Sequence, residues 1–202
     1  PQSIDVRPYS LVERNAHCAR IPSKNISSVR LVLPTNWFGD IELFARCTSI
    51  EPFNDIRVRK ALIHALDRKK LSGILTRVYG EAPNSLYASG HPWECKNIKG
   101  YEYNPEKAKA LLKDYGKPVK FVLNMVPLRS LIRVAEAYQS YWKEVGVEAA
   151  IKPGPRGPQW RRAIMAKKFD VWWENYGNNA DPSVVGMIFH SKHKANRYRI
   201  KD

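Results

Sequence analysis

The residues best suited to chemistry form one run, Trp172-Trp173-Glu174-Asn175-Tyr176-Gly177-Asn178-Asn179-Ala180-Asp181-Pro182. Indoles, a phenol and amides can stack on a small solute and hydrogen-bond to it. The run holds no Ser, Thr or Cys beside a base, so it lacks an activated nucleophile of that kind. Two readings of it stand. As a ligand wall, Trp172 or Trp173 offers a flat ring, Tyr176 packs and Asn178 hydrogen-bonds. As plain structure, the Asn and Gly residues satisfy turn geometry, one Trp enters the core and Asp181 holds the loop.

Other constellations are weaker. His190 and His193 are three apart, and His91 and Cys95 are four apart with Pro92 between them. Zinc sites usually gather four convergent ligands, and the chain has no Cys-x-x-Cys pair, so no metal and no cofactor is expected. His17-Cys18 lies in an unpatterned segment. Three cysteines leave an odd thiol whatever pairs, and a Cys18–Cys47 bridge stays open. The chain carries no GxSxG, Walker A, GxGxxG or HExxH motif, and no enzyme is expected. Pro155 to Pro158 matches PxxP, but a turn between strand and helix explains it better.

These groups need a scaffold. The chain has 202 residues, 44% apolar and 11% aromatic, too rich for disorder and long enough for a core. No apolar stretch approaches the ~20 residues of a membrane helix. The net charge is +15, spread along the chain with two short clusters, Arg57–Lys60 with Arg68–Lys70, and Lys192 to Lys201. Solvated faces and a polar tail account for these better than a phosphate-binding surface, so nucleic acid is not expected as a partner. The start, Pro1-Gln2-Ser3-Ile4-Asp5, suggests a processed or excised chain.

Ser28–Leu33 and Ile41–Arg46 read as short strands. Asn54 and Asp55 can cap a helix over Ile56–Ala65, with Ile56, Ala61, Leu62, Ala65 and Leu66 on one face. Asp67 can cap a second helix that runs to Gly80. Glu81–Gly100 reads as a loop, with Tyr87 and Trp93 packing within it. Asn104-Pro105-Glu106 starts a helix that Gly116 ends. Then come a strand (Val119–Val126), a helix (Leu128–Val145), a strand (Val147–Ile151), a rigid turn (Lys152–Pro158), a short helix (Gln159–Lys167) and a strand (Phe169–Trp173). This βαβαβ order predicts an α/β fold with a mostly parallel sheet and flanking helices. The loop Glu174–Pro182 then leaves a strand's C-terminal end, where open α/β sheets usually place ligands.

At this point the sequence resembles a known family. Its motifs are Pro52-Phe53-Asn54-Asp55-Ile56-Arg57-Val58-Arg59-Lys60-Ala61-Leu62, Ala65-Leu66-Asp67-Arg68 and Gly80-Glu81-Ala82-Pro83-Asn84-Ser85. They continue with Tyr103-Asn104-Pro105-Glu106-Lys107-Ala108-Lys109-Ala110-Leu111-Leu112, Val134-Ala135-Glu136-Ala137 to Val145-Gly146-Val147, Phe169-Asp170, Ala180-Asp181-Pro182 and Phe189-His190-Ser191. In this order and spacing the chain is similar to the C-terminal lobe of the extracytoplasmic solute-binding proteins of the peptide/nickel/opine class, family 5. The resemblance implies one lobe of a two-lobe periplasmic-binding-protein fold. It implies capture of a peptide or similar small solute between the lobes and delivery to an ABC permease, in the periplasm or outside the cytoplasm, with a lipid anchor in some parent chains.

The expected organisation is an N-terminal segment, 1–50, a solute-binding lobe, 51–191, and a basic tail, 192–202. The family is more than twice as long, so the other lobe of the receptor is expected as a partner supplied by the parent chain. Where the family often carries an Asp that pairs with a peptide's amine, this sequence aligns Asn178. Asn accepts a hydrogen bond but cannot neutralise an ammonium. Tyr176 falls where the family often has an aromatic against the ligand. The expected binding residues are Trp172, Trp173, Tyr176 and Asn178. The rival reading is the ligand-sensing domain of a transcription regulator, built on the same module.

Overall fold

The computed structural model describes residues 31–33, 40–45, 51–71, 100–155, 157–166 and 170–176. In chain order they form β1 (Leu31–Leu33), β2 (Asp40–Ala45), α1 (Ile56–His64), α2 (Pro105–Tyr115), β3 (Lys120–Met125), α3 (Arg129–Glu144), β4 (Glu148–Pro153), α4 (Pro158–Met165) and β5 (Val171–Tyr176). One sheet takes all five strands in the order β1-β2-β5-β3-β4. The pairs β3–β4 and β3–β5 are parallel, as the βαβαβ alternation predicts. The pairs β1–β2 and β2–β5 are antiparallel, so a hairpin from the N-terminal segment extends the parallel half.

The helix ends follow from local chemistry. Asp55 Oδ1 accepts from Arg57 N at 2.7 Å and caps α1. Val58, Ala61, Leu62 and Ala65 then bury one stripe. Ile56 does not share it and is 40% exposed, because at about 100° per residue it lies far round the helix from Val58. Asp67 caps the next turn, with Lys70 N donating to Oδ1 at 3.1 Å. Asn104 Oδ1 accepts from Lys107 N at 2.9 Å to start α2, with Pro105 in its first turn. Gly116 ends α2 at φ 77°, a conformation that favours glycine.

The core lies between α1, α2, α3 and one face of the sheet. Phe121, Leu123 and Met125 of β3 are buried, while Lys120 is exposed and Val122 and Asn124 are half-buried. Phe53 meets Phe121 edge-on at 5.1 Å, Phe121 meets Trp142 edge-on at 5.3 Å, and Trp142 stacks on Tyr138 at 5.5 Å. Trp142 Nε1 also donates to Leu62 O at 3.1 Å, tying α3 to α1. Asn104 N donates to His64 O, and His64 Nδ1 donates to Glu102 O, both at 2.8 Å. At the last strand of the sheet, Gln139 Nε2 donates to Ala149 O at 2.6 Å.

The Arg57 hydrogen bond holds the Asp55 carboxyl below its ordinary range. A carboxylate lowered in the fold adds stability above its unfolded value of about 3.9 and loses it as the pH falls through the folded value. Asp55→Ala is expected to cost ~1 kcal/mol in urea unfolding at neutral pH. Asp55→Asn keeps an acceptor at the cap, so it should retain most of that and weaken the acid dependence. Equal losses in both variants would mean that the charge, not the cap, carries the effect.

Candidate functional site

The motifs that are plainest in sequence turn out to build the scaffold. Arg57 pairs with Asp55 (2.7 Å) and with Asp114 of α2 (2.9 Å). Arg59 is buried and donates to Phe53 O at 2.6 Å and to Asn54 O at 3.2 Å. Both arginines of Arg57–Lys60 are therefore engaged within the fold. Arg68 donates to Tyr101 O at 3.1 Å, and burial lowers its pKa. Lys117 and Tyr115 both donate to Glu51, whose carboxyl is held low chiefly by the Lys117 hydrogen bond.

Three of the four candidate ligand residues, Trp172, Trp173 and Tyr176, lie on β5, and the backbone fixes their places. Val171 is buried opposite Leu123, and Trp172 lies level with Asn124. Across the other edge, Phe44 faces Trp172, Leu43 faces Trp173 and Asp40 faces Tyr176. Strand residues alternate between faces. Trp173 and Asn175 thus continue the set begun by buried Val171, whereas Trp172, Glu174 and Tyr176 form the other set.

Glu174, Asn175 and Tyr176, expected in a loop, are strand. Antiparallel β2 supplies partners as far as Tyr176, well past the point where β3 and β5 part. The signal lay in Ile41-Glu42-Leu43-Phe44, a β-forming run that pairs with Asn175 back to Trp172, with Asp40 against Tyr176.

Two residues missing from the sequence-based set adjoin this strand. Asp170 Oδ2 accepts from Val122 N at 3.0 Å. Asn124 Nδ2 donates to Val171 O at 3.2 Å and to Val122 O at 3.3 Å. Asn178, the three cysteines, His91, His190 and His193 lie outside the described residues. Among the described residues no group of three His, Cys, Asp or Glu could hold a metal ion, and no helix is long and apolar enough to cross a membrane.

The family model "Bacterial extracellular solute-binding proteins, family 5 Middle" matches residues 20–196. The dipeptide-binding protein of Escherichia coli is 30% identical over 139 residues, 65% of this chain and 26% of that protein. Heme-binding protein A of Haemophilus influenzae is 33% identical over 150 residues, 67% of this chain and 26% of that protein. The chain thus spans about a quarter of the length of these curated relatives. The fold also matches the oligopeptide-binding protein of Bacillus subtilis, solved with a nonapeptide. The TM-score is 0.71 at 20% identity, covering 87% of this chain and 38% of that one.

Proposed function

Since this chain belongs to the bacterial extracellular solute-binding proteins, family 5, we propose that it is the C-terminal ligand-binding lobe of an ABC-importer receptor. The receptor captures a peptide or similar small solute between two lobes, outside the cytoplasm, and presents it to a membrane permease. The observation that carries this reading is the family match from residue 20 to 196, which runs through every strand of the sheet. Relatives named for a dipeptide and for heme, and a fold neighbour that holds a nonapeptide, support an organic ligand. The same relatives are binding proteins, which favours a receptor over a regulator or an enzyme.

In this reading the work is binding alone. Aromatic faces at the end of β5 cover apolar parts of the ligand, and polar groups fix its backbone. Closure of two lobes around the site removes water from both. Trp172 and Tyr176 share one alternate set and form the ligand wall. Trp173 follows Val171 and serves the core side, and Asn178 supplies a neutral acceptor.

The test is calorimetry on the purified receptor with a pool of dipeptides and tripeptides. Trp172→Ala and Tyr176→Ala are each expected to weaken binding about tenfold, with Trp173→Ala lowering stability instead. Unchanged affinity in the first two would remove them from the wall. Failure of the receptor to bind any peptide would remove peptides as the ligand class.

A further inference from the structure

We propose that Asp170 and Asn124 form a clasp across the seam between β3 and β5 and act as positioning residues for the ligand wall. The seam needs one. Among the described residues the two strands share only the pairs Leu123↔Val171 and Asn124↔Trp172, whereas β3 and β4 stay in register from Lys120↔Glu148 to Met125↔Pro153. So short a ladder gives few backbone hydrogen bonds to fix one strand against the other.

Side chains reinforce it from both strands. Asp170, the residue before β5, reaches across to accept the Val122 N–H at 3.0 Å, a charge-assisted bond. Asn124 of β3 reaches back to donate to Val171 O at 3.2 Å, and the same amide nitrogen donates to Val122 O at 3.3 Å. The side chains reach from opposite strands, but both bonds run from β3 donors, the Val122 amide and the Asn124 side-chain amide, to acceptors on Asp170 and Val171. Sliding β5 along β3 breaks both together.

Trp172 is the residue next to this clasp, and Tyr176 lies four further along the same strand. Their height relative to the parallel half of the sheet is therefore set at Asp170 and Asn124, neither of which needs to touch the ligand. This inference rests on the ligand wall proposed above, and its test separates the two.

The variants are Asp170→Ala and Asn124→Asp in the full receptor chain, with Asp170→Asn as the conservative control. Asp places a carboxylate against two carbonyls, whereas Asn at 170 keeps an acceptor for Val122 N–H. Hydrogen exchange should quicken about tenfold at Val122 and across 171–176 in the first two variants, with α1 and α2 unchanged. It should stay near wild type in Asp170→Asn. Affinity for the dipeptide and tripeptide pool should fall about tenfold in the same two variants and recover in Asp170→Asn.

Unchanged exchange at the seam, or a loss spread evenly over α1 and α2, overturns the clasp. Faster exchange at the seam with unaltered peptide affinity overturns the ligand wall on β5 and leaves the clasp standing. If wild type binds none of the pool, the exchange result alone decides the clasp.

Discussion

Replacing Trp142 by alanine should cost about 5 kcal/mol, enough to leave the lobe largely unfolded. Trp142 is fully buried at the centre of the aromatic chain, edge-on to Phe121 and stacked on Tyr138. Truncation leaves a cavity between α3 and the sheet. It also strands the Leu62 carbonyl, which the indole N–H satisfies, at a further ~1–3 kcal/mol if water cannot reach it. Trp142→Phe isolates the two contributions, since it keeps an aromatic ring and loses the donor. Urea unfolding followed by circular dichroism gives both numbers. An alanine variant within about 2 kcal/mol of wild type would mean that Phe53, Phe121 and Tyr138 close over the gap and that the stack is not the keystone.

The second large effect concerns Asn178 and the charge of the ligand. If the neutral amide meets a peptide's N-terminus, Asn178→Asp replaces a hydrogen bond between an ammonium and a neutral amide with a salt bridge between two charges. That is expected to raise affinity for free-amine dipeptides about thirtyfold, within the span of charged hydrogen bonds. N-acetylated peptides should gain nothing, because they carry no ammonium. Titration calorimetry with each pair of peptides reads the contrast directly. Equal gains for blocked and free peptides, or no gain for either, would place Asn178 away from the amine.

Sequence made the helices legible and the sheet only partly so. Asp55, Asn104 and Gly116 announce helix ends because capping is local chemistry, settled within a few residues. The stripe on α3 is legible for the same reason: Leu131, Ile132, Ala135, Tyr138, Trp142 and Val145 follow the helical period, and the last four are buried while Leu131 and Ile132 are partly buried against the core. Strand pairing is not local. Nothing near Trp172 says that Phe44, far earlier in the chain, lies beside it, so the local pattern ends β5 at Trp173, three residues short. Arg57 and Arg59 looked like surface charge because their partners, Asp114 and the Phe53 carbonyl, are specified by the fold and not by spacing. Phe169-Asp170 is legible as a family motif, but no spacing says that Asp170 reaches the Val122 amide, and Asn124 within a strand carries no periodic signal.

Ala149 and its contact with Gln139 bear on how copies of this lobe tolerate crowding. Among the described residues β4 closes the sheet, and an outermost strand is a template on which another molecule can add. Glu148 N bonds to Val119 O, and Gly154 N to Met125 O. By alternation, Ala149, Ile151 and Pro153 turn their backbone groups outward. The Ala149 carbonyl is already taken by Gln139, and Pro153 has no N–H to offer. A chain docking there finds two rungs of the ladder spoiled, which leaves this border of the protein poorly suited to fibril growth.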